Sequence, residues 1–370
     1  MNDPVPFFSA QAVNKDIDVQ ASVARVIARN HYVLGAEVAS FEQGFAAYCG
    51  VPHCVGVGNG TDALELSLRA LGVGSGDEVA LAPNAGFYGS TALRLIGAVP
   101  TYVDVDAQTL ALCPRALEAQ LCLRRPAAII VTHLYGQLAA VEDIVEIAAR
   151  HGVPLIEDVA QAHGARRGGR TAGSFGALGC FSFYPTKNLG ALGDGGAVVS
   201  ADGDLAGRVR SLRQYGWGRK YHNELPFGRN SRLDELQAAV LNDKLPHLDQ
   251  ANEARRAIAR SYRDAFAGLP LRLPASLSAD HVVHLYVVRT PRRDDLRGFL
   301  SDQGIAADIH FPVPDHRQAI HTAQYAGVSL PEAESACATV LSLPCYPAMP
   351  PEHVEKVASA VRGFFLRPAA

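Results

Sequence analysis

A lysine in a turn between two β-rich runs carries the strongest chemical signal of this sequence. Lys187 follows the apolar, aromatic run 180–183, which Pro185 ends, and glycines lead from it into the apolar run 197–199. A lysine among aromatic, glycine and proline neighbours is shielded from water, so its pKa is lowered and its amine is nucleophilic. Such an amine suits a Schiff base with an aldehyde cofactor. The alternative is an exposed loop lysine between two core strands.

A carboxylate at the end of an apolar strand pattern is the second candidate. Asp158 directly follows that pattern, and Gln161 and His163 follow within reach of the same crevice. A buried carboxylate needs a partner, and a protonated heterocycle nitrogen would be one. The alternative is that Asp158 caps the next helix or pairs with Arg166 or Arg167.

A glycine turn ahead of a helical pattern is a candidate phosphate site. Residues 53–57 are typical of a strand, 58–61 of a turn, and 62–71 of a helix with apolar residues at helical spacing. Free backbone N–H groups and the helix dipole point at such a turn. Because many glycine turns before helices bind nothing, the turn alone leaves the phosphate open.

The elements that position these residues alternate between strands and helices. The predicted strands are 78–82, 101–105, 128–132 and 154–157, and the predicted helices between them are 90–96, 115–121 and 141–151. This alternation predicts a mainly parallel sheet with helices on both faces. Ligands bind beyond the C-terminal strand ends of such sheets. Three segments rich in polar and aromatic residues fall there, at 84–88, 135–137 and 158–163.

The pattern changes in the last third of the chain. The predicted strands there are 282–288 and 305–310, and the predicted helices are 292–303, 331–341 and 351–364. This predicts a smaller α+β domain at 246–370 that follows a large domain at 1–245. His310, beside a Phe-Pro-Val-Pro run, is a candidate substrate contact, although a histidine at a strand end is more often a satisfied core residue. The polar, aromatic loop 214–232 is either a binding surface or an ordinary mobile loop.

The bulk composition excludes several classes of protein. The 370 residues are 48% apolar and 19% charged, as in a globular protein with a large core. The net charge of −3 gives no reason to expect nucleic acid or an anionic membrane as a partner. The seven cysteines are scattered without C-x-x-C spacing, which argues against a disulfide framework or a metal site and favours the cytoplasm. No signal peptide or membrane-spanning run is evident.

Five segments resemble, in family order, the DegT/DnrJ/EryC1/StrS family of pyridoxal-phosphate-dependent sugar aminotransferases: GNGTDALELSLRAL, LIEDVAQAHGA, CFSFYPTKNLGALGDGGAVV, GRNSRLDELQAAVL and DIHFPVP. The resemblance runs from about residue 7 to the C-terminus. It implies an α/β chain of the fold-type-I, aspartate aminotransferase-like class, with a mainly parallel sheet in the large domain. Within the family, the Lys187 segment is most similar to enzymes that aminate C3 of a nucleotide-linked 3-keto-6-deoxyhexose. Enzymes that aminate C4 more often carry a histidine or another residue at the position of Tyr184.

The resemblance also implies a role for individual residues. Lys187 would hold pyridoxal 5'-phosphate as a Schiff base, and Asp158 would keep the pyridine nitrogen protonated. The other implied contacts are Gln161 with the phenolic oxygen; Gly60, Thr61 and Ser182 with the phosphate; Asn230 with the phosphate of a neighbouring subunit; Phe87 or Tyr88 stacked on the ring; and Tyr184, Lys220 and His310 with the sugar nucleotide. A homodimer with shared active sites follows. The sequence departs from the family pattern at Gly86, where a threonine is usual.

The reaction that the resemblance implies has two halves. L-Glutamate gives its amino group to the cofactor and leaves as 2-oxoglutarate, with Lys187 as general base. The keto-sugar, with dTDP as the expected nucleotide, then receives the amine for polysaccharide or glycoconjugate biosynthesis. The alternatives are a 4-keto-sugar aminotransferase, an aromatic amine synthase of the same family, and a non-catalytic regulatory sensor. A dinucleotide-binding protein is a weaker alternative, because the G-x-G-x-x-G spacing is incomplete.

Overall fold

The computed structural model describes residues 4–321 and 323–366. The α-helices are α1 (Ala10–Val13), α2 (Val19–Arg29), α3 (Ala36–Cys49), α4 (Gly60–Ala70), α5 (Tyr88–Ile96), α6 (Pro114–Leu123), α7 (Val141–His151), α8 (Gly203–Leu212), α9 (Glu235–Lys244), α10 (Leu248–Ala265), α11 (Arg293–Asp302), α12 (Pro331–Thr339) and α13 (Pro351–Leu366). The strands are β1 (His53–Val57), β2 (Glu78–Leu81), β3 (Val99–Tyr102), β4 (Ala128–Thr132), β5 (Leu155–Asp158), β6 (Arg166–Arg167), β7 (Arg170–Thr171), β8 (Leu178–Ser182), β9 (Gly196–Ser200), β10 (Trp217–Arg219), β11 (His222–Asn223), β12 (Tyr286–Arg289) and β13 (Val340–Leu343).

Seven strands form one sheet in the order β1-β9-β8-β5-β4-β2-β3. Neighbouring strands from β3 to β8 run parallel, and β9 runs antiparallel to both β8 and β1. The central strands are buried on both faces, as in Ile129, Ile130 and Val131, because helices cover the sheet on each side. The predicted α/β class with a mainly parallel sheet is therefore confirmed.

Local sequence signals account for most element boundaries. The predicted strands 53–57 and 128–132 and the predicted helix 141–151 coincide with β1, β4 and α7. Capping explains where helices begin: Asn59 caps α4 by accepting the Asp62 N–H at 2.8 Å, and Asp202 caps α8 by accepting two N–H groups. Pro114 stands in the first turn of α6, where its missing N–H costs nothing.

Three predictions in the last third of the chain differ from the structure. The strand predicted at 282–288 begins only at Tyr286, as β12. The segment 305–310 is not a strand; it makes single bridges from Ile305 to Val5 and from Asp308 to Ser342. The helix predicted at 331–341 ends at Thr339, and the next residues form β13, which pairs antiparallel with β12. The run Val-Leu-Ser-Leu before Pro344 fits a short buried strand, and pairing with β12 overrides the helical spacing that precedes it.

The interior contains two large hydrophobic clusters. One surrounds the seven-stranded sheet, and the other packs α10, α11 and α13 against β12 and β13. Val5 belongs to the second cluster, so the beginning of the chain packs against its end. The domain boundary at residue 245 stays a prediction. Within residues 4–321 and 323–366, no helix has the length and apolar character needed to cross a membrane.

Candidate active site

A cavity of about 880 Å³ opens at the C-terminal edge of the large sheet. Thr132, Asp158 and Ser182, the last residues of β4, β5 and β8, lie in its wall. The first residues of α4 form one side, and residues from the second hydrophobic cluster form another. This is the edge at which a parallel sheet places its ligands, as the sequence predicted.

Lys187 lies in a tightly closed turn after β8. Its N–H donates to the Tyr184 carbonyl at 2.8 Å, and a side chain on Gly190 would place a Cβ atom 2.5 Å from the Pro185 carbonyl oxygen. The Lys187 side chain is half-buried and lines the cavity. Burial lowers the pKa of Lys187 to about 8, and the negative charge of Asp158 opposes this effect. The residue is therefore a cavity lysine rather than an exposed loop lysine.

Asp158 is buried at the end of β5. Its carboxylate accepts the Thr132 hydroxyl at 3.3 Å and the Ala160 N–H at 3.1 Å. Burial raises the pKa of Asp158, while the Ala160 hydrogen bond and the charge of Lys187 act in the opposite direction. The arginines considered as partners bind elsewhere: Arg166 pairs with Asp249, and Arg167 pairs with Glu142 and Asp280. The Asp158 carboxylate is thus available to a cationic ligand group.

The glycine turn brings the N-terminus of α4 against the end of β8. A Cβ atom on Gly60 would lie 2.7 Å from Ser182 Cβ, so only glycine allows this approach. The first N–H groups of a helix have no partner within the helix, and those of Gly60 and Thr61 lie at the cavity wall beside Ser182. This arrangement is able to bind a phosphate, and the predicted phosphate contacts stay a prediction.

Of the two aromatic residues predicted to stack on the cofactor ring, Phe87 and Tyr88, only one lines the cavity. Tyr88 lines the cavity, with its ring edge-on to Phe311. Phe87 lies apart from the cavity: it has a φ of 69°, its N–H donates to Asp315, and its ring packs against His321. The geometry therefore gives no support to Phe87 as a cofactor contact, because its ring packs against His321 and is not part of the cavity lining.

The other predicted contacts divide into two groups. Gln161, Tyr184 and His310 line the cavity with the residues above. The Gln161 Oε1 atom accepts the Tyr135 N–H at 2.6 Å, and the His310 Nδ1 atom pairs with the Ser342 hydroxyl at 2.9 Å.

Lys220 and Asn230 form the second group, and both lie outside the cavity of their own chain. They are exposed on the loop between α8 and α9. The Lys220 ammonium lies over the ring of Tyr221, and the backbone of Asn230 forms an isolated antiparallel β-bridge with Gln214. The structure therefore gives them no role in the cavity of the chain to which they belong.

Comparison with known proteins decides the family. The sequence profile of the DegT/DnrJ/EryC1/StrS aminotransferase family matches residues 14–362. The chain belongs to this family. The aminotransferase is 44% identical over 363 residues to the dTDP-3-amino-3,4,6-trideoxy-α-D-glucose transaminase of Streptomyces venezuelae, covering 97% of this chain and 95% of the relative.

Solved structures agree with this assignment. The crystal structure of S. venezuelae DesV in complex with a ketimine intermediate matches the aminotransferase with a TM-score of 0.95 and 44% identity, over 99% of this chain and 100% of the other. NtdA from Bacillus subtilis, solved with the bound cofactor PMP, matches with a TM-score of 0.92 and 29% identity, over 98% of this chain and 86% of the other. The predicted fold class, enzyme class and cofactor are confirmed: the protein is an aminotransferase that depends on pyridoxal 5'-phosphate.

The aminotransferase cavity fits this cofactor. Lys187 presents an amine with a lowered pKa, Asp158 presents a buried carboxylate, and the α4 N-terminus presents free N–H groups beside Ser182. An aldehyde, a pyridinium nitrogen and a phosphate need these three partners.

Sequence analysis of the aminotransferase missed several residues of the cavity wall. Phe7 and Phe8 reach it from the beginning of the chain, and Arg229, Arg255 and His284 reach it from distant segments. The adjacent aromatic pair at positions 7 and 8 is a local signal that could have been noticed. Arg255 lies in an ordinary helical pattern, so no local signal marked it.

Proposed function

We propose that this aminotransferase transfers the amino group of L-glutamate to C3 of a nucleotide-linked 3-keto-6-deoxyhexose, with dTDP as the nucleotide. The observation that carries the proposal is Lys187, a cavity lysine of lowered pKa beside the buried Asp158, in a chain 44% identical to a dTDP-3-amino-sugar transaminase. The product would be an amino sugar for polysaccharide or glycoconjugate biosynthesis.

Lys187 and Asp158 carry the chemistry in this proposal. The cofactor, when bound, would supply an electron sink for the substrate carbon that bears the amino group. The Lys187 amine would hold the cofactor and, when free, would act as the general base at that carbon. The Asp158 carboxylate keeps the ring nitrogen protonated, because a negative charge in a buried site stabilises the adjacent cation.

Five residues position the cofactor in the same proposal. The N–H groups of Gly60 and Thr61 and the hydroxyl of Ser182 bind the phosphate. Tyr88, rather than Phe87, stacks on the ring, since its side chain faces the cavity. Gln161 would donate from its amide nitrogen to the phenolic oxygen, while its own oxygen accepts the Tyr135 N–H.

The sugar nucleotide occupies the outer part of the cavity. The volume of about 880 Å³ lies at the upper end of the range for small-molecule sites, so it has room for more than the cofactor. Tyr184 is exposed at the cavity wall, and His310 is held by Ser342, so both are proposed sugar-nucleotide contacts.

Lys220 and Asn230 act in a neighbouring subunit, which makes the enzyme a homodimer with shared sites. Exposed aromatic side chains on the same loop, Tyr221 and Phe227, support a surface that a second copy covers. A cytoplasmic location is part of the same proposal.

The absorbance of the purified enzyme tests the proposed reaction. We expect a visible Schiff-base band that L-glutamate converts to the band of the amino form, and that a dTDP-linked 3-keto sugar restores. Lys187→Ala abolishes both changes, whereas Lys15→Ala, at an exposed position, leaves them intact. A band indifferent to glutamate contradicts the donor, and restoration only by 4-keto sugars contradicts the C3 assignment.

Mixed dimers test the shared site. Asn230→Ala and Lys187→Ala are each expected to be nearly inactive alone. If Asn230 serves the neighbouring subunit, a mixture that exchanges subunits contains one intact site per mixed dimer and regains part of the activity. No recovery in verified mixed dimers would contradict the sharing.

A further inference from the structure

Arg255 is a buried arginine in the wall of the active-site cavity. It lies on α10 with 2% of its surface exposed, next to His284, Leu343 and Cys345, which line the same wall. One guanidinium nitrogen, Nη1, donates to the carbonyl oxygens of Cys345 and His284. Carbonyl oxygens satisfy part of the hydrogen-bonding capacity of the guanidinium but leave its charge uncompensated.

No carboxylate neutralises Arg255 among residues 4–321 and 323–366. Its Nε atom is buried and has no hydrogen-bond partner among these residues. Burial lowers the pKa of Arg255 only to about 10, so the side chain stays cationic at neutral pH. A buried cation without a counter-ion is costly. An anionic ligand in the cavity would remove that cost.

A second arginine in the cavity wall shows the contrast. Arg229 pairs with Asp62 and Glu65 on α4 and is therefore already neutralised. Of the two arginines that line the cavity, Arg255 is the one with charge left for a ligand.

We infer that Arg255 binds a carboxylate of the amino donor. The inference rests on the proposed function, which brings an amino dicarboxylate into this cavity. An arginine offers paired N–H donors that match the two oxygens of a carboxylate, and such charge-assisted pairs are strong. The carboxylate would act as the counter-ion of Arg255 only while the amino donor is bound.

The position of Arg255 favours the donor over the sugar nucleotide as the source of the anion. Arg255 contacts the His284 carbonyl, the His284 ring pairs with Asn188 at 3.0 Å, and Asn188 follows Lys187 in the chain. The guanidinium therefore lies on the wall that continues into the Lys187 turn. The α-carboxylate of an amino acid is one bond from the reacting carbon, whereas the diphosphate of a nucleotide sugar is several bonds from C3.

The test measures dicarboxylate binding separately from turnover. Glutarate has the two carboxylates of the donor and no amine, so it can bind to the holoenzyme without reacting. We expect Arg255→Gln to weaken glutarate binding, followed by the visible band or by calorimetry, by about tenfold or more. The half-saturating glutamate concentration should rise by a similar factor, and that for the keto-sugar should change by less than about twofold.

Matched variants separate ligand binding from a structural role. Arg255→Lys keeps the charge but loses the paired donors, so we expect an intermediate loss of glutarate binding. Arg289→Lys is the control: Arg289 is also buried and donates to a carbonyl, that of Ala107, but it does not line the cavity. A folded Arg255→Gln enzyme that binds cofactor and glutarate as the wild type does would overturn the inference and leave Arg255 as a clamp on two carbonyls.

A crystal structure of the wild-type holoenzyme with glutarate decides the matter if both variants fail to fold. A carboxylate within hydrogen-bond distance of the Arg255 guanidinium supports the inference, and glutarate bound elsewhere in the cavity refutes it. Glutarate binding through Arg255 in an enzyme that does not react with glutamate would support the carboxylate site while refuting the proposed donor reaction.

Discussion

The buried carboxyl group of Asp315 should make the stability of this enzyme depend on pH in a measurable way. Asp315 accepts the Phe87 N–H at 3.1 Å and the Ser90 hydroxyl at 2.6 Å, and it is 1% exposed. Burial raises the pKa of Asp315 to about 7, and the two hydrogen bonds only partly offset it. We expect Asp315→Asn to remove this pH dependence.

The sign and size follow from the two pKa values of Asp315. The folded-state value of about 7 lies above the ordinary value of 3.8, so between these pH values the folded chain holds a proton that the unfolded chain has released. The contribution of Asp315 to the free energy of unfolding is therefore complete below about pH 4. It is lost progressively as the pH rises to about 7. At about 1.4 kcal/mol per pKa unit, the loss is about 4 kcal/mol.

Asparagine resembles the protonated form of Asp315. Its oxygen can accept the Phe87 N–H, and its NH2 group can donate to the Ser90 hydroxyl oxygen, which turns its own proton to the Tyr102 oxygen 2.9 Å away. Asp315→Asn should match the wild type near pH 4. Above pH 7 it should be more stable by up to about 4 kcal/mol.

Equilibrium urea unfolding, followed by far-ultraviolet circular dichroism, measures this difference. The free energy of unfolding of wild type and Asp315→Asn would be extrapolated to zero urea at pH 5 and pH 8.5. From pH 5 to pH 8.5, the free energy of unfolding of the variant should rise by about 3 kcal/mol relative to that of the wild type. The control Asp16→Asn, at an exposed position, should show no such change. A pH-independent difference, or a variant less stable at pH 8.5, would refute the reasoning.

Three further predictions concern the cavity wall and the lysine turn. Gly86→Ala should destabilise the fold by about 2 kcal/mol more than Gly72→Ala. Both glycines have a positive φ, but the added carbon would lie 2.7 Å from the Phe311 ring at Gly86 and would meet no atom within 4 Å at Gly72. Equal urea midpoints for the two variants would contradict this. Lys244→Met removes the ammonium group that donates to the Gly190 carbonyl, at the end of the Lys187 turn, at 2.7 Å. The variant should therefore be less stable by about 1–3 kcal/mol and should lose cofactor faster in dialysis. Cofactor retention equal to that of the wild type would contradict this. Because the pKa of Lys187 is about 8, cofactor uptake by the apoenzyme should rise with pH and level off above about 8, and a rate still rising at pH 10 would contradict the lowered value.

The position of a residue in the site could be predicted from the sequence where it depends on the residues next to it in the chain. Lys187 stands between a strand pattern and a glycine run, and Asp158 ends an apolar strand, so local pattern was enough to place both at the C-terminal edge of the sheet. Arg255 has its role through contacts with residues 284 and 345, which no local pattern connects to it.

Side-chain direction within a loop was also beyond the sequence. The family pattern singles out the position of Phe87 or Tyr88 but does not say which ring faces the ligand. In the structure Phe87 takes a left-handed conformation, and its N–H donates to Asp315, a residue more than two hundred positions away. Only a structure shows that contact, and with it the orientation of Tyr88 into the cavity.

The proposed cofactor side and the proposed substrate side of the cavity are built in different ways. Lys187 follows β8, Asp158 ends β5, and β5 and β8 pair directly, with Asp158 opposite Cys180. The α4 N-terminus closes on the same strand, because Gly60 contacts Ser182. The three proposed partners of the cofactor thus lie on, or packed against, two adjacent strands, which fixes the distances between them. The facing wall comes from Phe7, α10 and the segments around 284, 310 and 343, which are far apart in sequence. Substitutions beside β5 and β8 should therefore alter cofactor binding for every substrate, whereas substitutions in the facing wall should alter which donor or sugar is accepted.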